Sequence, residues 1–315
     1  MTVLSLPANQ PETFYRGAGR IAAFRSGPAL PDRPEDWIAS TTTRFGLAPS
    51  GLSALPDGRL LAEAVAADPA WWLGPGRTDT GILVKLLDAG QRLPLHVHPD
   101  RHFAHEHLAS PYGKTEAWVI VSAEPDAYVH LGFARDVTAD ELAGWVNGQR
   151  IEDMLAATNR MPIQAGDAVL CPAGLPHAIG AGVLLVEIQE PTDFSVLLEY
   201  EPFGLDGGHL ELGWERALQC VDRSAWDADR LAALRGSGSG LLPAEADPFF
   251  ASARVHGPAT LEQAFSVVVV LGGAGTLAGE HDELAVRRGD TLVIPYAAGP
   301  LELTGDVEAV RFHSA

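Results

Sequence analysis

Five of the eleven histidines fall between positions 96 and 107, and the first two stand as His96-Val97-His98. In an extended strand, residues i and i+2 face the same side, so both imidazoles project from one face. Neutral imidazole is a favoured ligand of divalent transition metals, which makes this pair a candidate metal site. Gly90 precedes His96, and downstream Gly166, Pro172, Gly174 and His177 have the spacing Gly-x5-Pro-x-Gly-x2-His. His102, His105 and His107 have helical spacing and are expected on a solvated helix face. His102 follows the His96 strand closely enough to be considered for the cleft wall, and Asp100 reads equally as a turn cap or a substrate contact.

Lysine is almost absent. Only Lys85 and Lys114 occur, against 20 arginines. Lys85 lies inside an apolar run, where a lysine needs a buried partner or must snorkel to the rim. Lys114 stands two residues before Glu116, and on a shared strand face it can serve in proton transfer or charge stabilisation.

Positioning such groups calls for short elements, and 33 Gly and 23 Pro punctuate the chain densely. Residues 1–80 read as irregular turns with some helix. A helix starts at Asp57-Gly58, turns Leu60, Leu61, Ala64 and Val65 to one face, and ends at Pro69; Trp71 and Trp72 are assigned to core packing. Strands are expected at 82–87, 93–97, 117–121 and 127–131, the last two joined by a Glu124-Pro125-Asp126 turn. A helical insertion at about 136–160 opens with a Thr138/Glu141 capping box and carries Leu142, Trp145 and Val146. A second helix there carries Ile151, Met154 and Leu155. Strands resume at 168–170 and 183–188. Residues 204–247 are mixed, with a linker-like Gly236-Ser237-Gly238-Ser239-Gly240. Gly166-Asp167 followed by Pro172 repeats as Gly289-Asp290 followed by Pro295, which suggests two copies of one small barrel. Short strands with few long helices give a mainly β fold.

The two histidine-bearing stretches together resemble the two cupin motifs. That resemblance implies a metal held by His96, His98, Glu116 and His177. It also implies two cupin (jelly-roll) barrels, with the helical insertion in the first and a degenerate second. The expected division is residues 1–203 for an N-terminal segment plus the metal-binding barrel, 204–247 for a mixed helical connection, and 248–315 for the second barrel. That second barrel has no His-x-His, and Pro300 stands where its later histidine would fall.

The runs Leu83-Val84-Lys85-Leu86-Leu87, Leu95-His96-Val97-His98-Pro99-Asp100 and Gly113-Lys114-Thr115-Glu116 resemble class I phosphomannose isomerases, in their short bacterial form. So do Leu131-Gly132-Phe133, Pro172-Ala173-Gly174-Leu175-Pro176-His177-Ala178-Ile179-Gly180 and Glu187-Ile188-Gln189. The family's Gln-x-His becomes His96-x-His98 here, which keeps the ligand role. The resemblance implies one zinc ion per chain, Lys114 and Asp193 as catalytic residues, and an aldose–ketose isomerase. Its implied reaction interconverts mannose 6-phosphate and fructose 6-phosphate through an enediolate. Where the family places an arginine, four residues after Asp193, this chain has Leu197. A leucine cannot make the paired hydrogen bonds of a guanidinium. Another basic residue must therefore take over, or the substrate is a different or unphosphorylated sugar. An iron cupin oxygenase and a non-catalytic sugar-binding protein are the other classes this set of residues allows.

Composition excludes much else. Apolar residues make up 46% and charged residues 20%, so the chain is neither disordered nor fibrous. A net charge of −19 argues against binding nucleic acid through phosphates. No apolar run approaches the length of a membrane span. Two cysteines and no basic-then-apolar start lead to the expectation of a reducing cytoplasm. The expected partner is a small sugar or sugar phosphate, with monomer and dimer both open.

Overall fold

The structure is a computed structural model that describes residues 3–236, 241–280 and 282–315. The first half contains β1 (Leu4–Ser5), α1 (Arg20–Arg25), β2 (Glu35–Ile38), α2 (Leu61–Ala67), α3 (Pro69–Leu73), β3 (Leu83–Ala89) and β4 (His96–Val97). It continues through α4 (Arg101–His107), β5 (Glu116–Ala123), β6 (Tyr128–Phe133), α5 (Ala139–Asn147) and α6 (Ile151–Ala157). Then come β7 (Thr158–Pro162), β8 (Ala168–Cys171), β9 (His177–Ile179), β10 (Val183–Gln189) and β11 (Val196–Leu197). After α7 (Trp214–Ala217) and α8 (Ala228–Ala233), the C-terminal part holds β12 (Phe250–His256), β13 (Ala259–Leu261), β14 (Ser266–Ala278), β15 (Glu283–Arg287), β16 (Thr291–Ile294) and β17 (Leu301–Ser314). The expected mainly β architecture is what forms.

Two antiparallel five-stranded sheets build the first sandwich, in the orders β2-β3-β10-β5-β8 and β11-β4-β9-β6-β7. Val84, Trp118 and Val186 of one sheet share a core with Val129, Leu131 and Ile179 of the other. The β5–β6 turn therefore crosses between sheets and does not close a hairpin. β3 and β10 are buried along their whole length, which is why they read as continuous apolar runs rather than alternating ones. The helical insertion covers the second sheet, with Leu142, Trp145 and Val146 packed on Phe133 and Leu198.

The C-terminal strands form a seven-stranded sheet in the order β1-β16-β14-β17-β12, with β13 and β15 attached. Alternation sorts its two faces. Val267, Val269, Val310 and Phe312 join the core of the first sandwich, while Val268, Val270, Val307 and Ala309 build a separate apolar core. The sequence repeat is a shared turn. Gly166 and Gly289 both take left-handed φ, +90° and +93°, and both aspartates accept from the backbone three residues upstream, Asp167 from Gln164 and Asp290 from Arg287.

Several local expectations need correction. Pro69 does not end the preceding helix; it opens α3, capped by Asp68, because proline tolerates the first helical position. Trp72 is buried, but Trp71 is one of the few exposed large apolar side chains. Residues 93–95 make isolated backbone bonds, Leu93 N to Ile179 O and Glu199 N to Leu95 O, but no regular ladder, so β4 is only two residues long. Thr138 caps α5 by accepting from Glu141 N, but the Glu141 carboxylate turns to Arg135, so the box is half made. The first 80 residues include two strands, and β1 pairs with β16 across the chain. Of the linker-like stretch, residues 237–240 lie outside the described residues.

Candidate metal and sugar site

β4 and β9 are antiparallel neighbours, with His96 opposite His177. His98 follows β4, and Glu116 opens β5 on the facing sheet. The sandwich thus brings four residues from three separated stretches together. The three imidazole ring centres lie 4.1–4.9 Å apart, and their ligand atoms fall within 4.8 Å of one another.

Each ring is held in one tautomer. Nδ1 of His96 lies 2.8 Å from the Pro94 carbonyl oxygen, that of His98 2.7 Å from Phe194 O, and that of His177 2.8 Å from Leu175 O. A carbonyl oxygen only accepts, so all three Nδ1 atoms carry the proton and all three Nε2 lone pairs are left to converge. Such backbone anchoring is how metal-binding histidines are oriented. Burial and the crowding of His177 and His98 hold the His96 pKa well below its usual value. Burial and Lys114 bring that of His98 down to about 3. Both rings are therefore neutral, the form that binds metal.

Glu116 completes the group. Its Oε1 accepts from Trp118 Nε1 at 2.9 Å, and its Oε2 lies 3.0 Å from His98 Nε2. Burial alone would raise its pKa, but Lys114 and His98 outweigh that and hold it well below the carboxylate range. Glu116 Oε2 and His177 Nε2 are buried and make no hydrogen bond. Buried acceptors left in this way are costly, and a divalent cation is what a three-imidazole, one-carboxylate set would satisfy. The four residues fit a metal by donor type, tautomer and convergence.

Lys114 precedes the strand, not on it, yet it reaches the group. Its Nζ donates to His98 Nε2 at 2.8 Å and lies 3.0 Å from Glu116 Oε2. Gly113 allows this close approach, since a Cβ there would sit 2.5 Å from the Asp100 backbone carbon. His102 is excluded from the cleft: it lies on α4 with its side chain 88% exposed. Asp100 is the N-cap of that helix and accepts from Phe103 N.

The group lines a cavity of about 530 Å³ together with Lys85, Glu35, Glu187, Asp193 and Leu197. Lys85 is buried, with Glu187 at 3.4 Å, Glu35 at 3.7 Å and the Trp37 ring centre at 4.7 Å. Burial opposes its charge, but the two carboxylates prevail and raise its pKa. Sequence reading left Lys85 undecided and missed Glu35, Tyr15 and Trp37. A glutamate in the apolar strand 183–188 was the available signal for its partner. Asp193 lies on the cavity wall, where it accepts from Phe45 N at 3.0 Å; burial raises its pKa. Leu197 is the direct cross-strand neighbour of His96, so the wall beside that imidazole is apolar. Cys171 also abuts the group, within 4.8 Å of Glu116 and His177. Burial lifts its thiol pKa well above the usual value, which leaves it a neutral packing residue.

The profile of the mannose-6-phosphate isomerase cupin domain matches residues 242–314. The mannose-6-phosphate isomerase of Streptococcus mutans is 29% identical over 245 residues, covering 74% of each chain. Among solved structures, the Bacillus subtilis mannose 6-phosphate isomerase superposes with a TM-score of 0.80 at 22% identity, over 99% of this chain and 100% of its own. A mannose 6-phosphate isomerase bound with zinc and yttrium superposes with a TM-score of 0.74 at 15% identity, over the whole of both chains. Antiparallel sheets around a histidine-lined cavity, with these likenesses, define a member of the cupin superfamily. Within it these likenesses support a mannose-6-phosphate isomerase-like chain, and so an enzyme.

Proposed function

We propose that this chain is a metal-dependent aldose–ketose isomerase that interconverts mannose 6-phosphate and fructose 6-phosphate through an enediolate. The observation that carries the reading is the triple Nδ1 anchoring, which leaves three Nε2 lone pairs converging beside the Glu116 carboxylate. His96, His98, Glu116 and His177 would hold one zinc ion, and the zinc in a structural relative supports that choice. A divalent cation there supplies Lewis-acid polarisation of the sugar's carbonyl and hydroxyl oxygens.

The remaining work falls to the protein. Isomerisation moves one proton between the two adjacent carbons and another between their oxygens, with no net redox change. Lys114 is the group that moves a proton, because it alone among the cavity cations touches both His98 and Glu116. Asp193 orders the loop at residues 44–46 through its bond to Phe45 N, and so acts on the substrate by shaping the wall. The Trp118 indole fixes the Glu116 carboxylate. The buried floor of His98, Lys114, Glu116 and His177 would shield the reacting carbons from bulk water.

We read the C-terminal sheet as a second, degenerate barrel that packs and closes the first, an idea supported by the shared Gly-Asp turn. The proposed site of action is the cytoplasm, in keeping with the bacterial sugar-phosphate isomerases this chain resembles. Among the described residues no helix is long and apolar enough to cross a membrane. A coupled isomerase assay over phosphorylated and free hexoses, with metal content measured on the same sample, tests the proposal. Metal-bound protein that turns over no aldose in the panel would overturn it.

A further inference from the structure

A substrate that carries a phosphate dianion needs a cation at the cavity with free donors. Three cations line the cavity: Arg44, Lys85 and Lys114. The two lysines are buried and committed, Lys85 to Glu187 and Glu35, and Lys114 to Glu116 and His98. The wall beside His96 offers only the apolar Leu197.

Arg44 is different. It lies on the loop between β2 and α2, and that loop is tied down at several points. Arg44 N donates to Ser50 O at 2.7 Å, Phe45 N to Asp193 Oδ2 at 3.0 Å, and the Phe45 ring meets Phe194 edge-on at 5.9 Å. The guanidinium itself donates through Nη1 to the Glu12 carbonyl oxygen, and its Nε lies 3.9 Å from Asp193 Oδ2. The side chain keeps 18% of its surface open, and Nη2 has no partner among the described residues. This is a cation aimed by its neighbours and left with donors to spare.

The rest of the mouth raises the stakes. Asp206 and Glu211 line the same cavity, are exposed, and make no ion pair among the described residues. Without Arg44 an arriving dianion would meet Asp206 and Glu211 with no arginine, and no lysine but the committed Lys85 and Lys114, in the cavity lining.

We propose that Arg44 is the specificity residue that holds the phosphate-bearing end of the substrate, with Asp193 as its positioning residue. The proposal rests on the isomerase reading above. It assigns to a loop of the N-terminal segment the task that Leu197 cannot perform.

The test uses wild type, Arg44→Gln and Arg44→Lys in the metal-loaded full chain. Glutamine removes the charge and keeps a polar amide on this partly exposed loop side chain. Steady-state turnover of mannose 6-phosphate and of free mannose is measured, with inorganic phosphate as inhibitor and calorimetric binding of mannose 6-phosphate alongside. Arg44→Gln should lose about 30- to 100-fold in kcat/KM for the phosphorylated sugar, mostly through KM, as expected for a lost charged bidentate donor. Lysine should recover part of that loss, phosphate inhibition should weaken in parallel, and any turnover of free mannose should change less than about threefold. Equal loss on both sugars, or a mannose 6-phosphate KM within threefold of wild type, would overturn the role of Arg44. If wild type turns over neither sugar, the isomerase reading fails. Calorimetry then still decides Arg44: binding lost in Arg44→Gln supports it, and binding unchanged or absent in wild type overturns it.

Discussion

Replacing Lys85 by Met removes the cation paired with two carboxylates, the buried Glu187 and the mostly buried Glu35. Lys85 and Glu187 are directly paired across β3 and β10, and Trp37 is paired with Lys85 from β2 on the other side. The carboxylates are not equally exposed to the loss. Glu35 keeps the Tyr15 hydroxyl and Trp37 Nε1 as donors, whereas Glu187 Oε1 makes no hydrogen bond even now. Breaking a buried pair from one side costs about 3–5 kcal/mol, because the stranded charge keeps its desolvation penalty. Unfolding entropy for a chain of 315 residues is roughly 0.7 kcal/mol/K, so the cost corresponds to a fall in Tm of about 5–8 °C. The double variant Lys85→Met with Glu187→Gln should recover more than half of that, since the stranded charge is then gone. Thermal unfolding followed by calorimetry reads both changes. A Lys85→Met variant within about 1 °C of wild type, or a double variant no better than the single, would refute the reasoning.

Other expectations concern the site and its surroundings. His98→Ala should abolish tight zinc binding because three ligands hold far less well than four, while His102→Ala on the exposed face of α4 should keep it; metal analysis of both purified variants checks this. Lys114→Ala should lower kcat by about 10²- to 10⁴-fold with metal content unchanged, and a variant with wild-type kcat would remove Lys114 from proton transfer. Burial, with Arg92 and Arg160, lowers the His130 pKa to about 4. The unfolded chain therefore takes up a proton near pH 6.5 that the folded chain refuses until about pH 4, and stability falls as pH drops through that window. His130→Gln should narrow the stability gap between pH 7 and pH 5 by about 2 kcal/mol, read from urea titrations at both pH values.

The parts of the site written in the sequence are those whose geometry is local. His96 and His98 share a face because strands repeat every two residues, and a Gly-Asp turn with a proline five residues after the aspartate frames His177 without reference to the rest of the chain. Lys114 was found for its rarity, and its approach to His98 depends on Gly113, which no periodicity reveals. What stayed hidden arrives through long-range pairing. Glu35 and Trp37 reach Lys85 only because β2 adds to β3 some fifty residues away. Arg44 sits in a loop with no regular pattern, and long-range tethers to Asp193 and Glu12 bring it to the cavity. The same holds for the fold. Buried strands 83–89 and 183–189 were legible as apolar runs, whereas the joining of β1 to β16 rests on a pairing of two residues. Residues 93–95 read as strand, but they hold the second sheet only through single bonds, Leu93 N to Ile179 O and Glu199 N to Leu95 O, so the regular pairing starts at His96.

The central claim is that one metal ion, held by three histidines and Glu116, makes this chain an isomerase. The most direct measurement strips the protein with chelator, returns zinc in steps, and follows bound zinc and mannose 6-phosphate isomerisation on the same samples. Activity should rise in proportion to bound metal and level off at one ion per chain. Full activity in the stripped protein, or a plateau at two ions, would contradict it.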